Sequence, residues 1–125
     1  MLKSCDCDGK KVLIFACSGG SNVGQITNEA AKKLTAEGLG TFFCLAGVGG
    51  DISGIIETTK SADEVIVLDG CSVACAKAIL DKAGIAMTQY IDATKLGIAK
   101  EPHFDITPEQ IETVSQAVRS GSSAD

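Results

Sequence analysis

Six cysteines stand in a chain of 125 residues, and four of them border glycine-rich stretches: Cys17-Ser18-Gly19-Gly20, Cys44-Leu45-Ala46-Gly47-Val48-Gly49-Gly50 and Asp69-Gly70-Cys71, with Cys75 four positions further on. A thiol has three common uses: ligand to a soft or borderline metal ion, nucleophile or redox centre, and small buried hydrophobe. Disulfides form a fourth, and the compartment decides against it. The opening Met1-Leu2-Lys3-Ser4-Cys5-Asp6 does not read as a signal peptide, and no window approaches the ~18 consecutive apolar residues of a membrane span, so a cytoplasmic chain is expected. In a reducing compartment, cysteines at regular structural positions point to metal or thiol chemistry.

The elements that would position these residues follow from the hydrophobic pattern. Lys11 to Ala16 is an apolar run of strand length before a tight turn, and Asn22 to Glu37 keeps helical spacing at Val23, Ile26, Ala30 and Leu34, with Ser21 to cap it and Gly38 to end it. The step repeats. Thr41 to Leu45 reads as a second strand, Gly47 to Gly50 as its turn, and Ile52 to Thr59 as a short helix; Glu64 to Leu68 reads as a third strand, Asp69-Gly70 as a turn, and Ser72 to Lys82 as a helix. Ala86 to Ile91 is the fourth strand candidate, and Asp92 to Asp105 is mostly loop. Thr107, Pro108 and Gln110 form the start of a last helix ending near Arg119, with Ile106 and Ile111 placed as a hydrophobic staple.

Alternating strands and helices in so short a chain imply one three-layer α/β domain, Rossmann-like or flavodoxin-like, with a mostly parallel four-stranded sheet of order 2-1-3-4 and helices on both faces. The expected organisation is an irregular leader over 1–9 carrying Cys5 and Cys7, a domain over 10–119, and a flexible tail over 120–125.

In such a sheet the loops after strands one to three open on one edge, and ligands lie where the strand order reverses. Cys17, Cys44 and Cys71 fall on those loops. Cys75 would share a helix face with Cys71, with Cβ atoms roughly 5 to 6 Å apart, within reach of a tetrahedral ion whose thiolate bonds are about 2.3 Å long. The expectation is therefore a metal ion held by Cys17, Cys44, Cys71 and Cys75, with zinc favoured because it suits thiolate-rich tetrahedral sites and needs no redox partner. An iron–sulfur cluster is the alternative cofactor. Four thiolates around a divalent ion leave a charge of about −2, which needs nearby donors; helix starts near Ser21 and Ser72, glycine backbones and Lys77 are candidates to supply them. A different class of function is thiol catalysis or redox chemistry with Cys17 or Cys71 as the reactive group, since a helix start favours the thiolate form. The Cys5, Cys7 pair could fold over the same crevice or stay apart from it.

Other classes fare worse. Sixteen acidic against 11 basic residues give a net charge of −5, which argues against nucleic acid or an anionic membrane as partner and leaves a metal ion, with a protein partner open. A cysteine followed by a glycine-rich turn is also found in low-molecular-weight tyrosine phosphatases and arsenate reductases, but those loops require an arginine to clamp the oxyanion, and Cys17 through Ile26 contain none. The glycine runs complete neither a dinucleotide fingerprint nor a Walker loop. His103, the only histidine, reads as a surface or packing residue, and Asp69 as a turn or capping residue. No acid–base pair or triad suggests an established catalytic activity.

Taken together, Cys17-Ser18-Gly19-Gly20-Ser21-Asn22-Val23-Gly24, Cys44 to Gly50 and Asp69-Gly70-Cys71-Ser72-Val73-Ala74-Cys75-Ala76-Lys77 resemble the DGC domain family, which is associated with zinc binding and takes its name from the Asp-Gly-Cys motif. The likeness runs from about Val12 to the final helix. It implies four potentially chelating cysteines at Cys17, Cys44, Cys71 and Cys75, and no established biochemical activity comes with it.

Overall fold

The five residues Val12–Ala16 are buried without a break, as an uninterrupted apolar strand must be when helices cover both of its faces. In the computed structural model, which describes residues 9–125, this strand, β1, lies at the centre of a four-stranded parallel sheet. β2 (Thr41–Phe42) flanks it on one side and β3 (Glu64–Asp69) on the other, with β4 (Gln89–Asp92) outermost, giving the expected order β2-β1-β3-β4. Cys5 and Cys7 lie outside the described residues.

Alternation along the strands sorts the core into two layers. Val12, Ile14, Ala16, Ile66, Leu68 and Ile91 face helices α1 (Asn22–Ala36) and α5 (Pro108–Arg119), meeting Val23, Ile26, Leu34, Val114 and Val118. Leu13, Phe15, Val65, Val67 and Tyr90 face α2 (Leu45–Gly49), α3 (Ser53–Lys60) and α4 (Cys75–Lys82), meeting Val48, Ala76 and Leu80. The helix ends follow local chemistry. Ser21 accepts the Gly24 N–H at 3.2 Å, and Thr107 and Gln110 form a reciprocal capping box, with Ile106 and Ile111 both packed on the core beside it.

Several element boundaries differ from the expected ones. The second strand stops at Phe42, and Cys44 is the extended residue that opens α2, its carbonyl accepting the N–H groups of Gly47 and Val48. Of the glycines read there as a turn, Gly47 and Gly49 are helical and Gly50 caps the helix. A Cβ on Gly47 would sit 2.8 Å from Cγ1 of Ile55, so that glycine lets α2 pack closely on α3. The helix expected from Ser72 begins at Cys75, and residues 71–74 form a turn instead, closed by the Ala74 N–H on the Cys71 carbonyl at 3.0 Å. The Asp92–Asp105 segment contains a short 3-10 helix, Ala93–Leu96, capped by the Asp92 carboxylate. At the C-terminal end the chain runs beside β4: the Ala124 N–H reaches the Tyr90 carbonyl at 3.0 Å, and the Asp92 N–H reaches the Ala124 carbonyl at 2.6 Å. Among the described residues, no helix is long and apolar enough to cross a membrane.

Helices α1 and α5 are also joined by charge. Arg119 donates to Glu112 at 2.7 Å and, through Nε and Nη2, to both oxygens of Glu37 at 2.9 Å, while Lys33 donates to Glu112 at 2.6 Å. Hydrogen bonds from Arg119 and then Lys33 lower the Glu112 carboxyl from 4.5 to about 2, and the Arg119 bond lowers Glu37 as well. Carboxyls depressed by folding contribute stability above their unfolded range and lose it as pH falls through the folded value. Stability should therefore decline as pH drops from about 4.5 towards about 2. Arg119→Met should flatten that decline, as read from urea midpoints across the range, and 1 M salt should shrink the difference because the network is exposed. An unchanged acid limb in the variant would refute the assignment.

Candidate functional site

The loops at the C-terminal ends of the strands carry Cys17, Cys44 and Cys71, and Cys75 opens the helix after the third of them; all four are free thiols. Cys17 continues β1, its N–H bonded to the Leu68 carbonyl of β3 at 3.0 Å. Its half-buried sulfur accepts the Gly70 N–H at 3.3 Å and lies 3.6 Å from Oγ1 of Thr27. Cys71 is half-buried two residues beyond β3, with Nζ of Lys100 3.4 Å from its sulfur. Cys44, at the head of α2, and Cys75, the first residue of α4, are exposed.

The topology thus gathers the four residues at one sheet edge, while the side chains keep separate partners. Cys17 packs against the α2–α3–α4 layer and Cys71 against the α1–α5 layer. Among the described residues, no three histidine, cysteine, aspartate or glutamate side chains are grouped closely enough to hold a metal ion. The expected i, i+4 pairing of Cys71 with Cys75 does not apply, because Ala74 between them is left-handed, at φ 59°, and Cys71 lies outside the helix. Ser18, directly after Cys17, is also left-handed, at φ 53°. Two of the cysteines therefore adjoin backbone that ordinary residues rarely adopt, a kind of strain that persists only where surrounding contacts enforce it.

Those contacts are dense. A Cβ on Gly24 would lie 2.5 Å from the Gly19 carbonyl oxygen, and one on Gly70 would lie 2.8 Å from the Gly24 nitrogen, so turn, helix and third strand meet backbone to backbone. The start of α1 is engaged internally: the Asn22 N–H goes to the Glu101 carbonyl, the Gly24 N–H to Oγ of Ser21, and the Gln25 N–H to the Ser21 carbonyl. These donors serve the fold and are not offered to an anion.

The chain matches the DGC domain over residues 13–118, a span holding all four of these cysteines. It belongs to the DGC domain family. The anaerobic and virulence modulator AnvM of Pseudomonas aeruginosa (strain PAO1) is 33% identical over 100 residues, covering 80% of this chain and 76% of that protein. No solved structure matches the chain.

In this DGC domain the eponymous triplet has three separable roles. Asp69 is 1% exposed, and its carboxylate accepts the Ala76 and Lys77 N–H groups at 2.8 and 3.0 Å and the Tyr90 hydroxyl at 2.8 Å. It caps α4 from a neighbouring strand and so fixes where Cys75 stands. Burial, and then the bond to Asp69, push the Tyr90 phenol well above its ordinary range, so it stays a donor. Gly70 gives close approach to α1 and a hydrogen bond to Cys17; Cys71 presents the thiol. Lys77 turns away, its Nζ 5.1 Å from the centre of the Tyr90 ring and 3.7 Å from Asp125. His103 is exposed, accepting the Asp105 N–H at Nδ1.

The positive charge at the site comes from Lys100, in the segment read only as loop. Asn22, quoted in the first motif but given no role there, holds that segment in place. Neither role could be read from local pattern, because each acts through a contact 29 or more positions away in the chain.

Proposed function

We propose that this DGC domain binds a thiophilic metal ion, zinc before others, through Cys17, Cys44, Cys71 and Cys75. The observation that supports the reading is that four free thiols stand on the loops and the helix start at a single sheet edge. The donor chemistry fits: four thiolates satisfy a tetrahedral zinc ion without help from histidine or carboxylate. Cys44 and Cys75, being exposed, can turn towards Cys17 and Cys71, so closure of the site would be coupled to binding. Zinc held this way would cross-link the loops, and the chain's own residues supply orientation: Asp69 sets the start of α4, and Gly70 ties the Cys17 loop to the end of β3.

A regulatory role, in which occupancy changes the loop surface presented to a partner protein, suits the relative whose name describes a modulator. Elemental analysis of protein purified without added metal tests the reading. About one zinc per chain is expected, falling sharply in Cys71→Ser and Cys17→Ser. Metal-free wild type with no uptake on titration would sink it, and charge-transfer absorption in the visible region with equimolar iron and sulfide would replace zinc with an iron–sulfur cluster.

A further inference from the structure

The residues on either side of Lys100 are both fastened to one buried side chain. Asn22, 3% exposed at the start of α1, donates through Nδ2 to the Ala99 carbonyl at 2.8 Å and accepts the Glu101 N–H through Oδ1 at 2.6 Å. Its own N–H reaches the Glu101 carbonyl at 3.1 Å. Ile98, just upstream, is buried in the α1–α5 layer. An exposed lysine on a free loop would sample many rotamers, and a single contact from it would mean little. Here the backbone is pinned immediately before and after it, and its ammonium stands 3.4 Å from the Cys71 sulfur.

This geometry matters most if the thiolates gather around an ion, because the resulting charge of about −2 sits next to an apolar sheet edge and requires compensation. We infer that Lys100 is the built-in counter-charge of the cysteine site, donating N–H to the Cys71 sulfur, and that Asn22 is the positioning residue that keeps it there. The inference rests on the metal-binding reading above. Partners that hydrogen-bond metal ligands typically change metal affinity 10–100-fold when removed.

The test compares full-length wild type with Lys100→Gln, Lys100→Arg, Asn22→Ala and Lys95→Gln. The last removes an exposed charge from the same segment without touching a cysteine. Zinc affinity is read by competition with a chromophoric chelator, and cobalt(II) is used as a spectroscopic probe. Lys100→Gln is expected to weaken zinc about tenfold or more and to move the sulfur-to-cobalt charge-transfer band to lower energy, because a thiolate that loses a hydrogen bond donates more readily. Lys100→Arg should restore most of the affinity, Lys95→Gln should match wild type, and folded Asn22→Ala should shift band and affinity in the direction of Lys100→Gln. Equal affinity and identical bands in Lys100→Gln and Lys95→Gln would overturn this inference while leaving the metal site standing. Absence of zinc and cobalt uptake by wild type would overturn both.

Discussion

Gly24→Ala should destabilise the domain by about 3 kcal/mol or more, enough to lower its melting temperature by roughly 10 °C. The added methyl would meet the backbone of Gly19 at 2.5 Å from the oxygen, 2.6 Å from the nitrogen and 2.7 Å from the carbonyl carbon. None of these atoms belongs to a flexible side chain that could swing aside. The turn cannot retreat cheaply either. The Gln25 side-chain amide donates to the Ser18 and Gly19 carbonyls, and the Gly19 carbonyl also accepts the Ser21 N–H. Relief would require α1 to move away from the turn, which would disturb Gly70 packed on the same helix backbone and the Cys17 sulfur bonded to Gly70. Gly20→Ala is the internal control, since a Cβ there meets nothing within 4 Å; it should cost under about 1 kcal/mol. Denaturant midpoints for the pair decide the matter, and equal losses would show that close approach is not what Gly24 provides.

That contrast also shows what a glycine-rich sequence can and cannot disclose. The pattern Cys17-Ser18-Gly19-Gly20 reads naturally as a turn in which glycines provide conformational freedom, yet the left-handed residue is Ser18 and the steric demand falls on Gly24 inside the helix. The central strand and both capped helices were legible because each rests on patterns a few residues long: the unbroken run Val12–Ala16, the spacing from Val23 to Leu34, and the Thr107–Gln110 box. The end of β2 and the start of α4 were not. Phe43 and Cys44 have strand-like side chains, but close packing of Gly47 on Ile55 favours a helical turn there. Ser72 looks like a cap, but the capping carboxylate comes from Asp69 at the end of β3.

The candidate site divides along the same line. The address of Cys17, Cys44 and Cys71 followed from the parallel topology, because every loop after a strand must open on the same edge; Cys75 was placed beside Cys71 by helical spacing. The relation between the sulfurs did not follow, since it depends on where helix α4 begins. A spacing of four residues has a fixed meaning only inside a helix, and Cys71 is outside it. Lys100 was invisible for a related reason. Its meeting with Cys71 depends on Asn22 reaching 77 positions along the chain to Ala99 and 79 to Glu101, a link written in three hydrogen bonds and in no local pattern.

Asp69→Ala should cost about 3 kcal/mol, through two losses that can be separated. Removing the carboxylate leaves the Ala76 and Lys77 N–H groups at the start of α4 without their cap, and it leaves the Tyr90 hydroxyl without its acceptor in a buried position. A lost helix cap costs roughly 0.5–2 kcal/mol, and a stranded buried donor roughly 1–3 kcal/mol. Tyr90→Phe removes only the hydroxyl donor, so the double variant Asp69→Ala with Tyr90→Phe should be less destabilised than the two single losses summed, by about 1 kcal/mol. Asp69→Asn should fall between wild type and Asp69→Ala, because its amide oxygen can accept from one donor while its NH2 group faces the rest. Chemical denaturation of the four proteins provides the cycle, and strictly additive losses would mean that Tyr90 and the helix cap do not share this carboxylate. The same series bears on the thiols. Cys75 is the first residue of α4, one position before the Ala76 N–H that Asp69 holds. If Cys75 is a metal ligand, Asp69→Ala should reduce zinc retention even where the protein remains folded, and Tyr90→Phe, which leaves the cap in place, should not.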